Sequence, residues 1–167
     1  TVAEDGYDHF KGHPANSRDI AEAALLAMKS DRATMNRVLA LITEHDLRIP
    51  AEPKSVRRQM ARIGSDLFEA LFPVFRADLL AQNPAMIPEK LRAEEALERV
   101  FREEVARNVC VKISDLAVNG RDLMALGITG PDVGRALKTL LDKVVSEELP
   151  NEREALLAAC QTRRPDA

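Results

Sequence analysis

Two groups of basic side chains have spacings that would suit phosphate binding. Members of the first group recur at every fourth position, so a helix would place them on one face: Lys54, Arg58 and Arg62. Arg57, within the same segment, is a further basic candidate. Members of the second group flank a segment rich in glycine: Arg121, Arg135 and Lys138. Guanidinium and ammonium groups form charge-assisted hydrogen bonds with phosphate oxygens. Each group therefore predicts a phosphate-binding surface, with an ordinary solvated helix face as the alternative.

The glycine-rich segment predicts a helix, a tight turn and a second helix. Gly127 and Gly130 can adopt the positive φ of such a turn, and Pro131 suits the first turn of a new helix. That helix would start with unpaired N–H groups at the positive end of its dipole, so the backbone at Gly130 is a candidate phosphate ligand. The alternative is structural: Gly127 ends one helix, Gly130 closes the loop and Gly134 lets the helices pack closely. The second helix carries an apolar stripe: Val133, Leu137, Leu140, Leu141 and Val144.

A third set of residues could bind a metal ion. The three histidines, His9, His13 and His45, all lie in the first third of the chain, and His45 directly precedes Asp46. Imidazole and carboxylate ligands suit a divalent ion that activates water for attack on a phosphoester. Because His45 would share a helix face with Ile42, the alternative is a histidine that is hydrogen-bonded within the core.

The composition is that of an all-α protein. The chain has 167 residues, of which 46% are hydrophobic and 4% aromatic, with no tryptophan. Its formal net charge of −3 argues against a general polyanion binder and confines any RNA site to local basic patches. No apolar run approaches the roughly 20 residues of a membrane span. The first residues show no secretory signal, so we expect a cytoplasmic protein without a membrane partner.

The cysteines do not predict a bridge or a nucleophile. Cys110 and Cys160 are far apart and lack a neighbouring cysteine or histidine. We expect two unlinked thiols that pack as small hydrophobic side chains. No serine stands in a nucleophile motif either, so the sequence assigns no catalytic residue.

Capping residues predict where the helices begin. The expected starts are Asn16 or Ser17, Asp31, Ser55, Ser65 or Asp66, and Asn151. Gly64 should end the helix that Ser55 starts, and Pro73 should kink or break the next one. Asn119 with Gly120 indicates a turn.

A long, highly charged helix is expected from Pro88 to about Asn108. Its apolar side chains form a narrow stripe: Leu91, Leu97, Phe101 and Val105. Its carboxylates should face solvent: Glu94, Glu95 and Glu98. Because the sequence pattern changes on either side of this helix, we predict three parts, residues 1–87, 88–112 and 113–167.

The sequence also resembles a known family. Residues 115–157, DLAVNGRDLMALGITGPDVGRALKTLLDKVVSEELPNEREALL, resemble the C-terminal tail of bacterial tRNA nucleotidyltransferases, the CCA-adding and poly(A) polymerase family. Three further segments are similar to the HD-type helical region of some members: HFKGHPANSRDIA at 9–21, ITEHD at 42–46 and FRADLLAQ at 75–82. The resemblance implies an all-α helical bundle. Residues 1–87 would be a partial HD-type region, 88–112 a connecting helix and linker, and 113–167 a tRNA-binding tail domain.

The resemblance also implies ligands. In this family a catalytic head adds nucleotides to the 3′ end of tRNA with Mg²⁺ and nucleoside triphosphates, while the helical body and tail hold the tRNA. Nothing in the sequence matches the head's Gly-Ser turn and paired aspartates, so we expect polymerisation, and its Mg²⁺, outside this chain. The HD pattern would place a divalent metal ion at a partial site: His13, His45, Asp46 and Asp78. Further ligands of that pattern would lie upstream and are not in the sequence.

Three functional hypotheses follow. The leading one is the tRNA-binding and structural portion of a tRNA nucleotidyltransferase, with tRNA and an N-terminal catalytic head as partners. The second is an HD-type metal-dependent phosphohydrolase acting on nucleotides or on phosphates at RNA ends. The third is a helical interaction module that forms a homodimer through apolar surface that the head would otherwise cover.

Overall fold

The part of the chain that the structure describes is built from α-helices. The computed structural model describes residues 13–81 and 87–161, the first three of them by their backbone alone. The helices are α1 His13–Ala27, α2 Arg32–Glu44, α3 Pro53–Ile63, α4 Ser65–Leu80, α5 Ile87–Ala106, α6 Gly120–Ala125, α7 Pro131–Val145 and α8 Arg153–Gln161, with a short 3-10 helix at Ile113–Asp115. Within the described ranges there is no β-strand, and the predicted all-α class is confirmed. No helix in these ranges is long and apolar enough to cross a bilayer.

The helices form two compact units. Of the described residues, unit 1 takes those up to Arg48 and those in Asp66–Glu94, whereas unit 2 takes Ile49–Ser65 and those from Glu95 onward. Helix α3 therefore packs in the same unit as the C-terminal helices. The predicted domains at residues 1–87, 88–112 and 113–167 stay a prediction.

Unit 1 contains a two-helix hairpin and an aromatic helix. Helix α1 packs against α2, whose predicted N-cap is confirmed because the Asp31 carboxylate accepts hydrogen bonds from the Thr34 N–H at 3.0 Å and hydroxyl at 2.6 Å. On α4 the rings of Phe68 and Phe72 stack with centroids 5.5 Å apart, and Phe75 meets Phe72 edge-on at 6.3 Å. Pro73 lies on the exposed side of α4, and the helix continues through it without a break, so of the two predicted outcomes only a kink stays a prediction.

Two predicted helix starts were wrong for the same physical reason. Helix α1 begins at His13 rather than at Asn16 or Ser17, and α3 begins at Pro53 rather than at Ser55. In both cases proline occupies the first turn, where its fixed φ is already helical and its missing N–H costs nothing. The proline, rather than the hydroxyl or amide side chain downstream, sets the start.

Two asparagines have roles different from those predicted. Asn119 does not form a turn with Gly120 but caps α6, because its Oδ1 accepts the N–H of Arg121 at 2.8 Å. Asn151 does not cap the last helix. Its side chain accepts the N–H of Ala117 at 2.9 Å and donates to the carbonyl of Asp115 at 2.8 Å, so it holds the loop before α6.

The buried stripe of α5 includes two carboxylates. Leu97 and Phe101 are buried as predicted, but so are Glu94 and Glu104, whereas Val105 is 48% exposed. The buried positions lie three or four residues apart, which is the helical repeat. Glu94 is ion-paired with Arg76 Nη2 of the same unit at 2.9 Å, so the prediction that Glu94 faces solvent was wrong.

The core of unit 2 lies around α7. Its buried members come from the loop before α6 and from α6, α7 and α8: Leu116, Val118, Leu123, Leu137, Leu140, Leu141, Val145 and Leu156. The predicted stripe of α7 thus faces this core, with Val133 and Val144 packed at its margin. The stripe is confirmed.

Three glycines adopt the positive φ that a side chain would oppose. Gly64 ends α3 with φ +85° and donates to the Met60 carbonyl at 2.9 Å, as predicted, and Gly127 and Gly130 have φ of +81° and +59°. Gly134 was expected to permit close packing, but a Cβ there would have nothing within 4 Å. The close approach is instead at Gly120, whose Cβ would stand 3.3 Å from Cγ1 of Val133.

The same substitution should have opposite effects at two glycines of the α7 region. Gly134→Ala adds a methyl group in open space and restricts the unfolded chain, so it should raise the free energy of unfolding by about 0.5–1 kcal/mol. Gly130→Ala forces a Cβ into left-handed backbone and should lower it by about 1 kcal/mol. Urea denaturation measures both. A destabilised Gly134→Ala would restore the close-packing interpretation.

Candidate nucleic-acid interface

The site is organised by Arg57, a basic candidate of the sequence that the structure buries. The Arg57 side chain is 7% exposed and contacts three residues of unit 2. Its Nη1 donates to Glu104 Oε2 at 2.7 Å, its Nε donates to the Val145 carbonyl at 3.3 Å, and its Nη2 lies 2.7 Å from Glu147 Oε1. Helix α3 is thereby fixed to α5 and to the C-terminal end of α7. We call this set of contacts the Arg57 clamp.

The clamp divides α3 into a buried and a basic face. Val56, Arg57 and Met60 are buried. The first predicted basic group occupies the exposed face: Lys54, Arg58 and Arg62. The signal that would have separated Arg57 from this group was its position one turn before Met60 and Ala61, on the apolar side of the helix.

Contacts of the basic face place it beside the end of α7. Arg58 Nη2 donates to Ser146 Oγ at 3.1 Å, and Arg62 Nε donates to Gln59 Oε1 at 3.2 Å. Lys54 is exposed. All three residues are exposed at the surface, where phosphate contacts are made.

The second predicted basic group lies on α6 and α7 of the same unit. Arg121 is exposed in the first turn of α6, and Lys138 is exposed on α7. Arg135 is ion-paired with Asp132 one turn before it. Gly130 is the N-cap residue of α7 and provides no side-chain cap. Asp132 already places a carboxylate at the positive end of the α7 dipole, which reduces the attraction of that end for another anion.

The two basic groups are connected by α7. At about 1.5 Å per residue, Gly130 and Ser146 are about 24 Å apart along the helix axis. One group therefore lies beside the N-terminal half of α7 and the other beside its C-terminal end. Both assignments to phosphate contacts stay predictions.

The predicted metal ligands have other contacts in unit 1. His45 follows α2, is half-buried, and donates from Nδ1 to the Ile42 carbonyl at 2.6 Å. Asp46 is 3.7 Å from Arg48 Nη2, and Asp78 is exposed on α4. The side chain of His13 lies outside the described residues. Among those that are described, no three His, Cys, Asp or Glu side chains are placed to hold a metal ion, and the site stays a prediction.

The thiols agree with their predicted role. Cys110 and Cys160 are unlinked and half-buried. Burial, followed by the negative charge of Asp115, raises the pKa of the Cys110 thiol to about 11. Cys110 is therefore protonated near neutral pH and is a poor nucleophile.

An ion pair joins α6 to α8. Arg153 Nη2 donates to Asp122 Oδ1 at 2.7 Å, while Asp122 Oδ2 accepts the N–H of Asn119 at 2.8 Å. The hydrogen bond from Arg153, with that from the Asn119 backbone, holds the pKa of the Asp122 carboxyl below its usual value. The helix that begins the glycine turn is thus tied to the last helix.

Comparison with known proteins gives the class of this chain. The family model described as tRNA nucleotidyltransferase domain 2, putative, matches residues 17–160. The chain belongs to this family, which confirms the resemblance found in the sequence.

The curated relatives are nucleotide-adding enzymes. The CC-adding tRNA nucleotidyltransferase of Thermus thermophilus is 34% identical over 154 residues, which are 91% of this chain and 33% of that protein. The CCA-adding enzyme of Latilactobacillus sakei is 46% identical over 66 residues, 39% of this chain and 15% of that protein. The chain spans a third or less of the length of these two relatives. No solved structure matches it.

Glu104→Gln should destabilise unit 2 by about 3 kcal/mol, because it leaves the buried Arg57 without its buried counter-charge. The matched control is Glu103→Gln, an exposed neighbour on α5, which should change the free energy of unfolding by less than about 0.5 kcal/mol. Urea denaturation monitored by circular dichroism compares the two. Equal, small effects would show that the clamp does not hold the unit together.

Asp122→Asn should make unit 2 less sensitive to acid. The folded pKa of Asp122 is lowered, so its contribution to stability is complete above the unfolded pKa near 4 and is lost as pH falls through the lower folded value. The urea midpoints of wild type and variant should therefore converge between about pH 6 and about pH 2. For the control Asp142→Asn, at an exposed position of α7, the urea midpoint should change with pH as it does in wild type. A constant difference for Asp122→Asn would exclude this carboxyl as the titrating group.

Proposed function

We propose that this chain is the tRNA-binding and structural portion of a tRNA nucleotidyltransferase, and that unit 2 binds the tRNA. The observation that carries the proposal is the exposed basic face of α3. The Arg57 clamp holds the other side of this helix against α5 and α7. Family membership over residues 17–160 supplies the identity of the nucleic acid. The relatives add C or CCA, and we propose the same class of reaction for the longer protein in which this chain would act.

The charge distribution supports a local nucleic-acid site. The whole chain has a net charge of −3, yet the segment PKSVRRQMARI of α3 contains four basic and no acidic residues. Affinity for nucleic acid depends on the cations that reach phosphates rather than on net charge. The basic face can therefore attract RNA although the protein as a whole is acidic.

The spacing of the two basic groups favours a polynucleotide over a free nucleotide. Arg135 and Ser146, the residue that Arg58 contacts, are 11 residues and so about 16 Å apart along α7, while duplex nucleic acid carries one phosphate charge per about 1.7 Å of axis. Contact with both groups therefore calls for several phosphates in a row. A tRNA helical arm presents many phosphates over this distance.

Other parts of the proposal concern partners and ligands. We propose that polymerisation and its Mg²⁺ reside in a catalytic domain elsewhere in the longer protein, because the chain covers 33% of its Thermus relative. Helix α1 exposes Ile20 and Leu26, and Met28 directly after it is also exposed, so such a domain could cover this surface. A homodimer through this surface stays a prediction. A cytoplasmic location is part of the proposal, since tRNA maturation takes place there in bacteria.

Fluorescence anisotropy with labelled tRNA tests the proposal. Wild type should bind tRNA with an affinity that falls as salt is added, and an unlabelled DNA duplex of equal charge should displace it poorly. Arg58→Glu should weaken binding and lower the slope of log affinity against log salt by at least about one. Arg135→Glu should act in the same direction.

The matched control is Arg37→Glu, the same charge reversal at an exposed position of α2 in unit 1. It should leave the salt slope unchanged. If both Arg58→Glu and Arg135→Glu bind tRNA with the affinity of wild type, the assigned phosphate contacts are wrong. If the DNA duplex displaces labelled tRNA as well as unlabelled tRNA does, the proposed preference for tRNA is wrong.

A further inference from the structure

Glu147 occupies a position where a glutamate is unfavourable for two reasons. It follows Ser146, the C-cap residue of α7, and has φ +59°, a left-handed conformation that glycine adopts at lower cost. Its carboxylate stands at the negative end of the α7 dipole, where a cation would be preferred. The local hydrogen bonds, from its own N–H to Val144 and from the N–H of Glu148 to Lys143, involve only the backbone and would accept glycine as well.

A contact with Arg57 explains why a glutamate side chain is present at position 147. Glu147 Oε1 is 2.7 Å from Arg57 Nη2 although the Glu147 side chain is 69% exposed. Arg57 Nη2 is itself buried and makes no well-aligned hydrogen bond within the described part of the protein. The exposed Glu147 carboxylate therefore neutralises the buried Nη2 of Arg57. This contact lies just beyond the C-terminal end of α7, the helix to which Arg57 attaches α3.

We infer that Glu147 is a positioning residue for RNA binding: it holds Arg57, and through Arg57 the rotation of α3, so that the basic face of α3 meets phosphates together with the basic group on α7. This inference rests on the proposed function. Arg57 lies on the buried side of α3 and Lys54, Arg58 and Arg62 on its exposed side, so a rotation of the helix that releases Arg57 redirects those side chains. Arg58, bonded to Ser146 beside Glu147, would be displaced first.

Removal of the Glu147 carboxylate separates this account from simple electrostatics. If the carboxylate only repels RNA, its loss next to Arg58 strengthens tRNA binding. If it positions α3, its loss weakens binding although the protein becomes less acidic. The two accounts predict opposite signs.

The decisive variant is Glu147→Gly, since glycine suits the positive φ and so offsets part of the stability that is lost with the Arg57 contact, and circular dichroism should show the helix content of wild type. We expect its tRNA affinity to fall about threefold and its salt slope to fall by about one. Glu147→Gln keeps an acceptor for Arg57 and should restore most of the affinity. The charge control, Glu148→Gln, removes an exposed neighbouring carboxylate that has no part in the clamp and should bind at least as tightly as wild type.

Tighter or unchanged binding by Glu147→Gly would overturn the positioning role. The proposed function is judged separately, from wild type and Arg58→Glu. If wild type binds tRNA in a salt-dependent way and Arg58→Glu weakens it, while Glu147→Gly does not, only the positioning inference fails. If wild type shows no such binding, the proposed function itself fails.

Discussion

The organisation of unit 2 depends on the buried ion pair between Arg57 and Glu104. Both side chains are almost inaccessible, and each has to recover the cost of leaving water through hydrogen bonds. Glu104 uses both oxygens, one for Arg57 and one for Arg107 at 3.1 Å, while Arg57 also binds the last carbonyl of α7. An arginine is suited to this position because its planar fork can address several acceptors in fixed directions, which a lysine cannot. The pair therefore does more than add stability, since it determines which face of α3 remains outside.

That constraint explains how an acidic chain can display the basic surface that we propose as the RNA-binding site. Helix α3 has four basic residues, and the side chain of one of them, Arg57, is ion-paired with the carboxylates of Glu104 and Glu147. The remaining three are left on a single exposed side. The orientation of α3 therefore buries Arg57 and at the same time exposes Lys54, Arg58 and Arg62. The acidic residues that give the chain its negative charge lie on other elements, α5 above all.

Sequence patterns predicted the parts of this fold that depend on local physics. The apolar stripe of α7, the Asp31 cap and the Gly64 stop each depend on one helix and its ends, and each is confirmed. Features that depend on distant partners were missed. Glu104 had no local sign of burial, because its partner Arg57 is 47 residues away. The sequence around Asn151 predicted a helix cap, because the backbone groups that its side chain actually binds are 34 and 36 residues earlier in the chain.

We propose that unit 2 is the RNA-binding surface and that α3 and α7 act together in it. Hydrogen–deuterium exchange of the chain with and without tRNA tests this most directly, since bound RNA slows the opening of the helices that it contacts. We expect slower exchange in α3 and at both ends of α7, and unchanged exchange in α1 and α2. Protection confined to α1 and α2, or protection of α7 without α3, would contradict the account.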